Sequence, residues 1–258
     1  MQFNFGSGVF YGTPLQDAYG NSIANPTPIK LGILQDVSID LSFDTKMLYG
    51  QSQFPVAVGR GKGKISLKSK FAQLNGASVN NLFFGQTVTN GIVADYVDST
   101  GSVIPASPYA ITPAPPASGV YSYDLGVRTG AGFANQGVPM TRVASAPSTG
   151  QYSLSAGVYT FAAADTGKTV YIDYQYTATS TTATKSTVAN VLMGQAPFFK
   201  ADFFSTYAGK NCVLTFPQAL ATKLTLASKQ DDFTIPEFDV DGFADPSGST
   251  ALYWAFSE

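Results

Sequence analysis

The chain has 258 residues, a formal net charge of -2, 44% hydrophobic residues, only 12% charged residues and no histidine. That length suits one large β domain or two smaller ones, and the missing histidines exclude Ser-His-Asp and Cys-His catalysis and His-ligated metal sites. A single cysteine, Cys212, excludes an intramolecular disulfide framework, no apolar run reaches the ~18 residues of a membrane span, and no basic stripe of the duplex-binding kind dominates.

Residues 1–30 are rich in Gly, Asn and Pro, yet they carry Phe3, Phe5, Val9, Phe10 and Tyr11. This pattern predicts an extended arm that docks on another surface. Met1 to Leu15 has neither a charged start nor an apolar core, so no secretion signal is expected. Residues 36–44 then alternate strictly: Val37, Ile39, Leu41 and Phe43 share one strand face, and Asp36, Ser38, Asp40, Ser42 and Asp44 share the other. A long loop is expected over 45–59, with Met47, Leu48, Tyr49, Phe54 and Pro55 unusually apolar for a free loop. A second alternating strand follows over 60–71, with Ile65, Leu67, Ser69 and Phe71 inward and Lys64, Ser66, Lys68 and Lys70 outward. Gly59, Gly61 and Gly63 leave its start bare, which suits a bend or a close approach of another backbone. A helix is predicted over 73–84, where Leu74, Val79, Leu82 and Phe83 share a stripe and Gly85 stands at the stop position.

The composition changes at the Pro-rich stretch that begins at residue 107. Four short β segments, three of them carrying tyrosines, with turns between them run to a Ser/Thr-rich stretch that ends near residue 185. Residues 107–185 therefore read as an inserted small β-sandwich, and 1–106 with 186–258 as the core domain. In the last part, Cys212, Leu214 and Phe216 share a face, which makes Cys212 a core residue. A strand over 220–229 is expected to place Leu220, Thr222, Leu224 and Leu226 inward and Lys223 and Lys229 outward. A further strand over 233–242 places Phe238 and Val240 inward and Glu237, Asp239 and Asp241 outward. A last strand, Leu252 to Phe256, carries the single tryptophan, Trp254.

Few residues speak for chemistry. The only glutamates are Glu237 and Glu258, and no aspartate pair is marked out for acid–base work. GRGKGK at 59–64 lacks the spacing of a phosphate loop and leads into a strand, where no helix N-terminus would meet a phosphate. Asp239, Asp241 and Asp245 lack the closing bidentate Glu of a calcium loop. No enzyme, cofactor or metal is expected. The charge rows are the more informative feature: acidic rows Asp36–Asp40–Asp44 and Glu237–Asp239–Asp241, basic rows Lys64–Lys68–Lys70 and Lys223–Lys229. A half-solvated antiparallel sheet accounts for them; opposite rows on neighbouring strands would in addition set register.

Residues 43–85, FDTKMLYGQSQFPVAVGRGKGKISLKSKFAQLNGASVNNLFFG, and 231–248, DDFTIPEFDVDGFADPSG, resemble segments of the tail tube (major tail) proteins of tailed bacteriophages. The resemblance covers roughly the first hundred and the last sixty residues. It implies packed antiparallel sheets with one flanking helix, six copies to a ring, and stacked rings forming the tube through which the genome passes; an outer β domain is carried by some members. Partners implied are other copies of the chain, tape measure, terminator, baseplate or tip proteins, a sheath in contractile tails, and DNA in transit without sequence-specific binding. The place implied is the virion tail, assembled in the host cytoplasm. With four inner strands from each of six copies, a barrel of about 24 strands at ~4.8 Å spacing and ~40° tilt has a backbone diameter of roughly 48 Å and a bore of about 35–40 Å, wide enough for duplex DNA.

On this reading the four alternating strands line the bore. Asp36, Asp40, Asp44, Lys64, Lys68, Lys70, Lys223, Lys229, Glu237, Asp239 and Asp241 face the lumen, where interleaved carboxylates offset lysine–phosphate attraction. Met47, Leu48, Tyr49, Phe54 and Pro55 make ring-to-ring contacts. The alternative is a carbohydrate-binding or adhesin-type β module, prompted by Tyr109, Tyr121, Tyr123, Tyr152, Tyr159, Tyr171, Tyr174 and Tyr176. A ring component of a contractile secretion system and a hydrolase with paired aspartates rank below it.

Overall fold

The computed structural model describes residues 6–130, 137–228 and 230–257. Among the described residues the protein is mainly β, with one short α-helix and antiparallel pairing except where Thr141–Val143 runs parallel to Gln151–Ser155. In chain order come β1 (Val9–Pro14), β2 (Ile29–Lys30), β3 (Ile33–Tyr49), β4 (Pro55–Gln73) and the helix α1 (Gly76–Val79), which widens into a π turn over Asn80–Phe84. There follow β5 (Val88–Asn90), β6 (Ile92–Tyr96), β7 (Ser102–Val103), β8 (Ala110–Ile111), β9 (Val120–Thr129), β10 (Val138–Pro139), β11 (Thr141–Val143), β12 (Gln151–Ser155), β13 (Val158–Phe161), β14 (Thr169–Ala178) and β15 (Thr184–Ser186). The chain closes with β16 (Phe199–Tyr207), β17 (Lys210–Thr225), β18 (Glu237–Phe243) and β19 (Tyr253–Phe256).

Contacts divide the chain into two units, Met1–Val88 with Ser186–Glu258, and Thr89–Lys185. The inserted unit thus begins at residue 89 rather than at the Pro-rich stretch at 107. The physical reason is pairing: β6 and β7, which precede that stretch, are hydrogen-bonded to β14. Composition changes at the prolines, but the sheet does not.

In the first unit one sheet runs in the order β2-β1-β16-β17-β18-β4-β3, and β19 pairs with Cys212–Thr215 of β17. Its inner face carries the core, with Phe10, Leu67, Phe71, Phe199, Phe216, Phe238 and Val240 among its fully buried side chains. Each such side chain contributes roughly 1.5–3 kcal/mol by leaving water. Ile65, Leu67, Ser69 and Phe71 of β4 are all buried, and the Ser69 hydroxyl donates to the Phe238 carbonyl at 2.6 Å, so this one polar core position is satisfied. Cys212 is buried as well.

The helix starts at Gly76, three residues later than the apolar stripe predicts, because β4 continues to Gln73. The Asn75 side chain accepts from the Ala77 N–H, and Gly85, left-handed at φ 59°, stops the helical turns. Leu82 is fully buried and sits against Gly12, where a Cβ would lie 2.4 Å from Leu82 Cδ1. Only glycine leaves room for that contact.

Three further expectations are corrected. Within the expected N-terminal arm, Val9–Pro14 is a strand of the chain's own sheet, paired with β16, and Phe10 is a core residue; Phe3 and Phe5 lie outside the described residues. The expected loop over 45–59 is strand on both sides, since β3 and β4 continue to Tyr49 and from Pro55 as one hairpin. In β17 the inward set is Phe216, Ala219, Ala221 and Leu224; of the four expected inward residues Leu224 packs on the core, and Leu220, Thr222 and Leu226 do not. Extra residues break the period of two: the ladder steps from Phe216 to Ala219 opposite β16, and from Ala221 to Lys223 opposite β18.

The inserted unit is a sandwich of two sheets, β10-β9-β14-β6 with β7 on β14, and β11-β12-β13-β8. Their inner faces share a core of Ile104, Val127, Met140, Tyr152, Tyr159, Phe161, Val170, Ile172 and Tyr174. The hairpin between β12 and β13 turns at Ala156 and Gly157, both at positive φ (47° and 80°). Such a turn matches the right-handed twist of the strands it joins.

Candidate functional site: a charged sheet face and an uncovered hairpin

The alternation read from the sequence becomes a two-dimensional charge pattern once the strands are paired. β3, β4, β18 and the C-terminal part of β17 are consecutive neighbours. Their outward columns run acidic on β3, basic on β4 and acidic on β18, and β17 adds the single lysine Lys223 between Leu220 and Thr225. Rows across the sheet follow from the register. Asp36 stands opposite Lys70, Lys70 opposite Glu237, and Glu237 opposite Thr225. In the next row, Ser38 faces Lys68, Lys68 faces Asp239, and Asp239 faces Lys223. Asp40, Ser66, Asp241 and Leu220 make the third row, and Lys64 pairs with Ser42 beyond it. Leu220 reaches this outward row because of the extra residue at Thr222.

Asp36, Asp40, Asp44, Lys64, Lys68, Lys70 and Lys223 are exposed; Glu237, Asp239 and Asp241 are half-buried between the flanking lysines. Lys223 Nζ lies 3.2 Å from Glu237 Oε2, and Lys64 Nζ lies 3.7 Å from Asp241 Oδ2, both diagonal pairs. As exposed pairs, each contributes at most about 1 kcal/mol. Their value lies in strand order, because setting β3 beside β18 would bring two acidic columns together. A groove of about 260 Å³ runs along this face between Asp36, Lys68, Lys70, Lys223, Glu237 and Asp239. Lys229 lies outside the described residues.

The second feature is the outer part of the β3–β4 hairpin. Val37 and Ile39 still pack against the core, but Leu41, Phe43, Met47, Leu48, Tyr49, Val56 and Val58 are all exposed. Met47 pairs with Val58, and the Tyr49 hydroxyl reaches the Met47 sulfur at 3.3 Å. The apolar face of the sheet thus continues up the hairpin past the edge of the core through Leu41, Phe43, Met47 and Tyr49, while Leu48 lies on the opposite face. Phe43 lies opposite Gly63, whose missing side chain makes room for the ring, and the Arg60 guanidinium stacks on it at 4.2 Å. Of the bare glycines Gly63 serves a close approach and Gly61 lies against Asp44, whereas Gly59 meets open space; an extra residue stands in β4 between Gly63 and Arg60. At the tip Phe54 is 81% exposed, while Pro55 is half-buried. Of the five residues expected in ring contacts, four are apolar side chains open to solvent.

The inserted unit's tyrosines do something else. Tyr152, Tyr159 and Tyr174 are buried, Tyr121 and Tyr176 pack on them, and Tyr123 is exposed. The Tyr152 and Tyr159 hydroxyls both donate to the Asp124 carboxylate, at 2.9 and 3.0 Å, and Arg142 stands 3.5 Å from it. Burial, reinforced by hydrogen bonds and neighbouring negative charge, raises both phenols well above their ordinary value. Beside this cluster, Arg128 pairs with Asp173, donates to the Asp98 carbonyl and stacks over Tyr171. Burial alone would raise Asp98, but hydrogen bonds from the Gly101, Ile172 and Thr100 N–H groups and the Thr100 hydroxyl outweigh it and hold the carboxyl low. These are structural networks, and sequence reading missed them because their members are far apart in the chain.

Among the described residues no group of three or more His, Cys, Asp or Glu is placed to hold a metal ion. Asp245 instead closes the 245–250 turn, accepting from Ser247, Ser249 and Thr250. Asp165, in the Asp165–Thr166–Gly167 turn, is buried and accepts from the Gly150 N–H and Lys168 Nζ. No helix among the described residues is long and apolar enough to cross a membrane. No protein-family model matches the chain, and no curated protein matches it.

Proposed function

We propose that this chain is a structural subunit of the tail-tube kind: copies close into hexameric rings, rings stack, and the charged face of β3, β4, β18 and β17 lines a passage for DNA. The observation that carries this reading is the charge pattern of that face. Three adjacent strands present columns of alternating sign, a fourth adds Lys223, and two of the rows pair carboxylate with lysine across the sheet. A wall of this kind offers a polyanion neither a grip nor a barrier, because each lysine–phosphate attraction is offset by a neighbouring carboxylate. The projecting hairpin supports the same reading. An exposed apolar stripe of this extent calls for a partner, and stacking of rings supplies one through Met47, Leu48, Tyr49 and Phe54. Tape measure, terminator and tip proteins would meet the ends of such a tube, and its place would be the virion.

The carbohydrate-binding reading loses support, since of the eight tyrosines that prompted it Tyr152, Tyr159 and Tyr174 lie in the core of the inserted unit and Tyr121 and Tyr176 pack against it. Negative-stain electron microscopy of the purified protein across a concentration series tests the proposal. Rings or tubes with an open lumen of about 35–40 Å are expected. Monomers that persist even with a preformed tail tip as seed would overturn it.

A further inference from the structure

Resting on the tube reading, we infer that Met47 is an oxidation site that controls assembly: a peroxide converts its thioether to the sulfoxide, and the oxidised hairpin no longer makes its ring-to-ring contact. The chain has four methionines and one cysteine. Met1 lies outside the described residues. Met140 is buried in the core of the inserted unit and Cys212 in the first unit, so both sulfurs are shielded. Met193 is fully exposed, on the segment between β15 and β16, and Met47 is 51% exposed. Of these two, Met47 alone stands in the hairpin's apolar stripe. It pairs with Val58, itself exposed, and shares a strand face with Phe43 and Tyr49. The Tyr49 hydroxyl donates to its sulfur at 3.3 Å.

That contact shapes the chemistry. The phenol engages one sulfur lone pair and holds the thioether at the surface, and the second lone pair is left to an oxidant. Its attack on hydrogen peroxide forms the S–O bond and breaks the O–O bond. Sulfur loses two electrons to the peroxide; the hydrogen on the transferred oxygen passes to the departing one, which leaves as water. The product is a polar S=O group where an apolar side chain stood. In a separate subunit its oxygen accepts from the Tyr49 hydroxyl and from water. In a stacked ring the water is stripped away, and burying a polar oxygen short of partners opposes the contact. Stacking also covers the stripe, so the switch acts on subunits before they assemble and a finished tube is protected. Reduction of the sulfoxide reverses it.

Hydrogen peroxide treatment of the full-length protein tests this, with peptide mass spectrometry to place the added oxygen and thermal melts to establish folding. In unassembled parent, Met47 and Met193 are expected to gain one oxygen each and Met140 none. By sedimentation velocity and negative-stain microscopy, the oxidised parent is expected to need at least about tenfold more protein to assemble. Methionine sulfoxide reductase is expected to bring it back to within about threefold of the untreated protein. Met47→Leu, of similar volume and with no sulfur, is expected to assemble with or without peroxide. Met193→Leu is expected to stay as sensitive as the parent. Met47→Gln, polar without any oxidant, is expected to assemble as poorly as the oxidised parent, and it carries the test if Met47→Leu does not fold. In preformed tubes Met47 is expected to react at least about tenfold more slowly than in free subunits, since its exposed surface is covered. If Met47 resists peroxide, if the oxidised parent assembles normally, or if Met47→Leu is as sensitive as the parent, the site is overturned and the tube reading stands. Equal reactivity of Met47 in tubes and free subunits overturns the site together with the hairpin's role in stacking. If the parent forms no ring even with a tip seed, the tube reading falls and the switch with it.

Discussion

Asp124 shows how a single residue holds the inserted unit together. Its carboxylate is the shared acceptor of two phenols, and Tyr159 is fully buried. Asp124→Ala strands both hydroxyls in the core and is expected to lower that unit's stability by about 2–5 kcal/mol, against about 1 kcal/mol for Tyr159→Phe, which removes one donor and leaves the acceptor with others. Urea unfolding followed by tyrosine fluorescence measures both; equal effects would mean that the carboxylate is not the hub. The same phenols make the unit sensitive to alkali. In the folded state Tyr152 and Tyr159 titrate far above the ordinary phenol value of 10.0, chiefly through burial. The unfolded chain therefore loses protons that the folded chain keeps, and stability present below that pH falls as pH rises past it. Absorbance at 295 nm is expected to show these two tyrosines ionising only as the unit unfolds; smooth titration in the folded state would refute their assigned environment. Asp98 has the opposite sign, since its depressed carboxyl contributes stability that disappears as pH falls below the ordinary value of 3.8.

At the level of elements, the β3–β4 hairpin separates folding from assembly. Its inner half is core: Val37, Ile39, Ile65 and Leu67 pack on the rest of the sheet. Its outer half touches little, and the ladder pairs Thr45 with Arg60 at the point where the two halves part. Replacing Thr45–Arg60 by an Asn-Gly turn is expected to leave the melting temperature within a few degrees of the parent, since no core side chain is removed. The shortened protein is expected to stay soluble and fail to form tubes. Normal tubes would show that the exposed stripe has another use. The inner half was legible because alternation is strict there: Ile65, Leu67, Ser69 and Phe71 all point inward as the period of two requires. The outer half was read as a loop because glycines and a proline mimic turn composition. In β17 Pro217 marks the first extra residue, but the second, at Thr222, carries no sequence signature and a run of alternating leucines hides it. The charge rows could be read within each strand, but their alternation from strand to strand is a product of pairing between residues as distant as Asp36, Lys70 and Glu237. Short strands such as β6 and β7 gave no sign of belonging with β14, which is why the boundary was placed at the prolines.

For the assembly proposed above, the decisive property would be what the charged face does to DNA. A wall carrying only Lys68, Lys70 and Lys223 would bind phosphate, and each contact would release counterions and add to a salt-sensitive affinity. In this protein Asp36, Glu237 and Asp239 stand in the same rows as those lysines. The variant Asp36→Asn, Glu237→Gln, Asp239→Asn keeps size and hydrogen-bonding capacity while removing three negative charges per copy. It is expected to retain duplex DNA at low salt where the parent does not, with a log–log salt slope of about -3 if all three lysines meet phosphates in each bound copy. Filter binding across a salt series measures it, on assembled tubes and on unassembled protein alike. Tighter retention by tubes than by monomers would place these lysines on an enclosed surface that DNA reaches. Equal and weak binding by parent and variant would remove the charge-cancellation argument and, with it, the assignment of this face to the lumen.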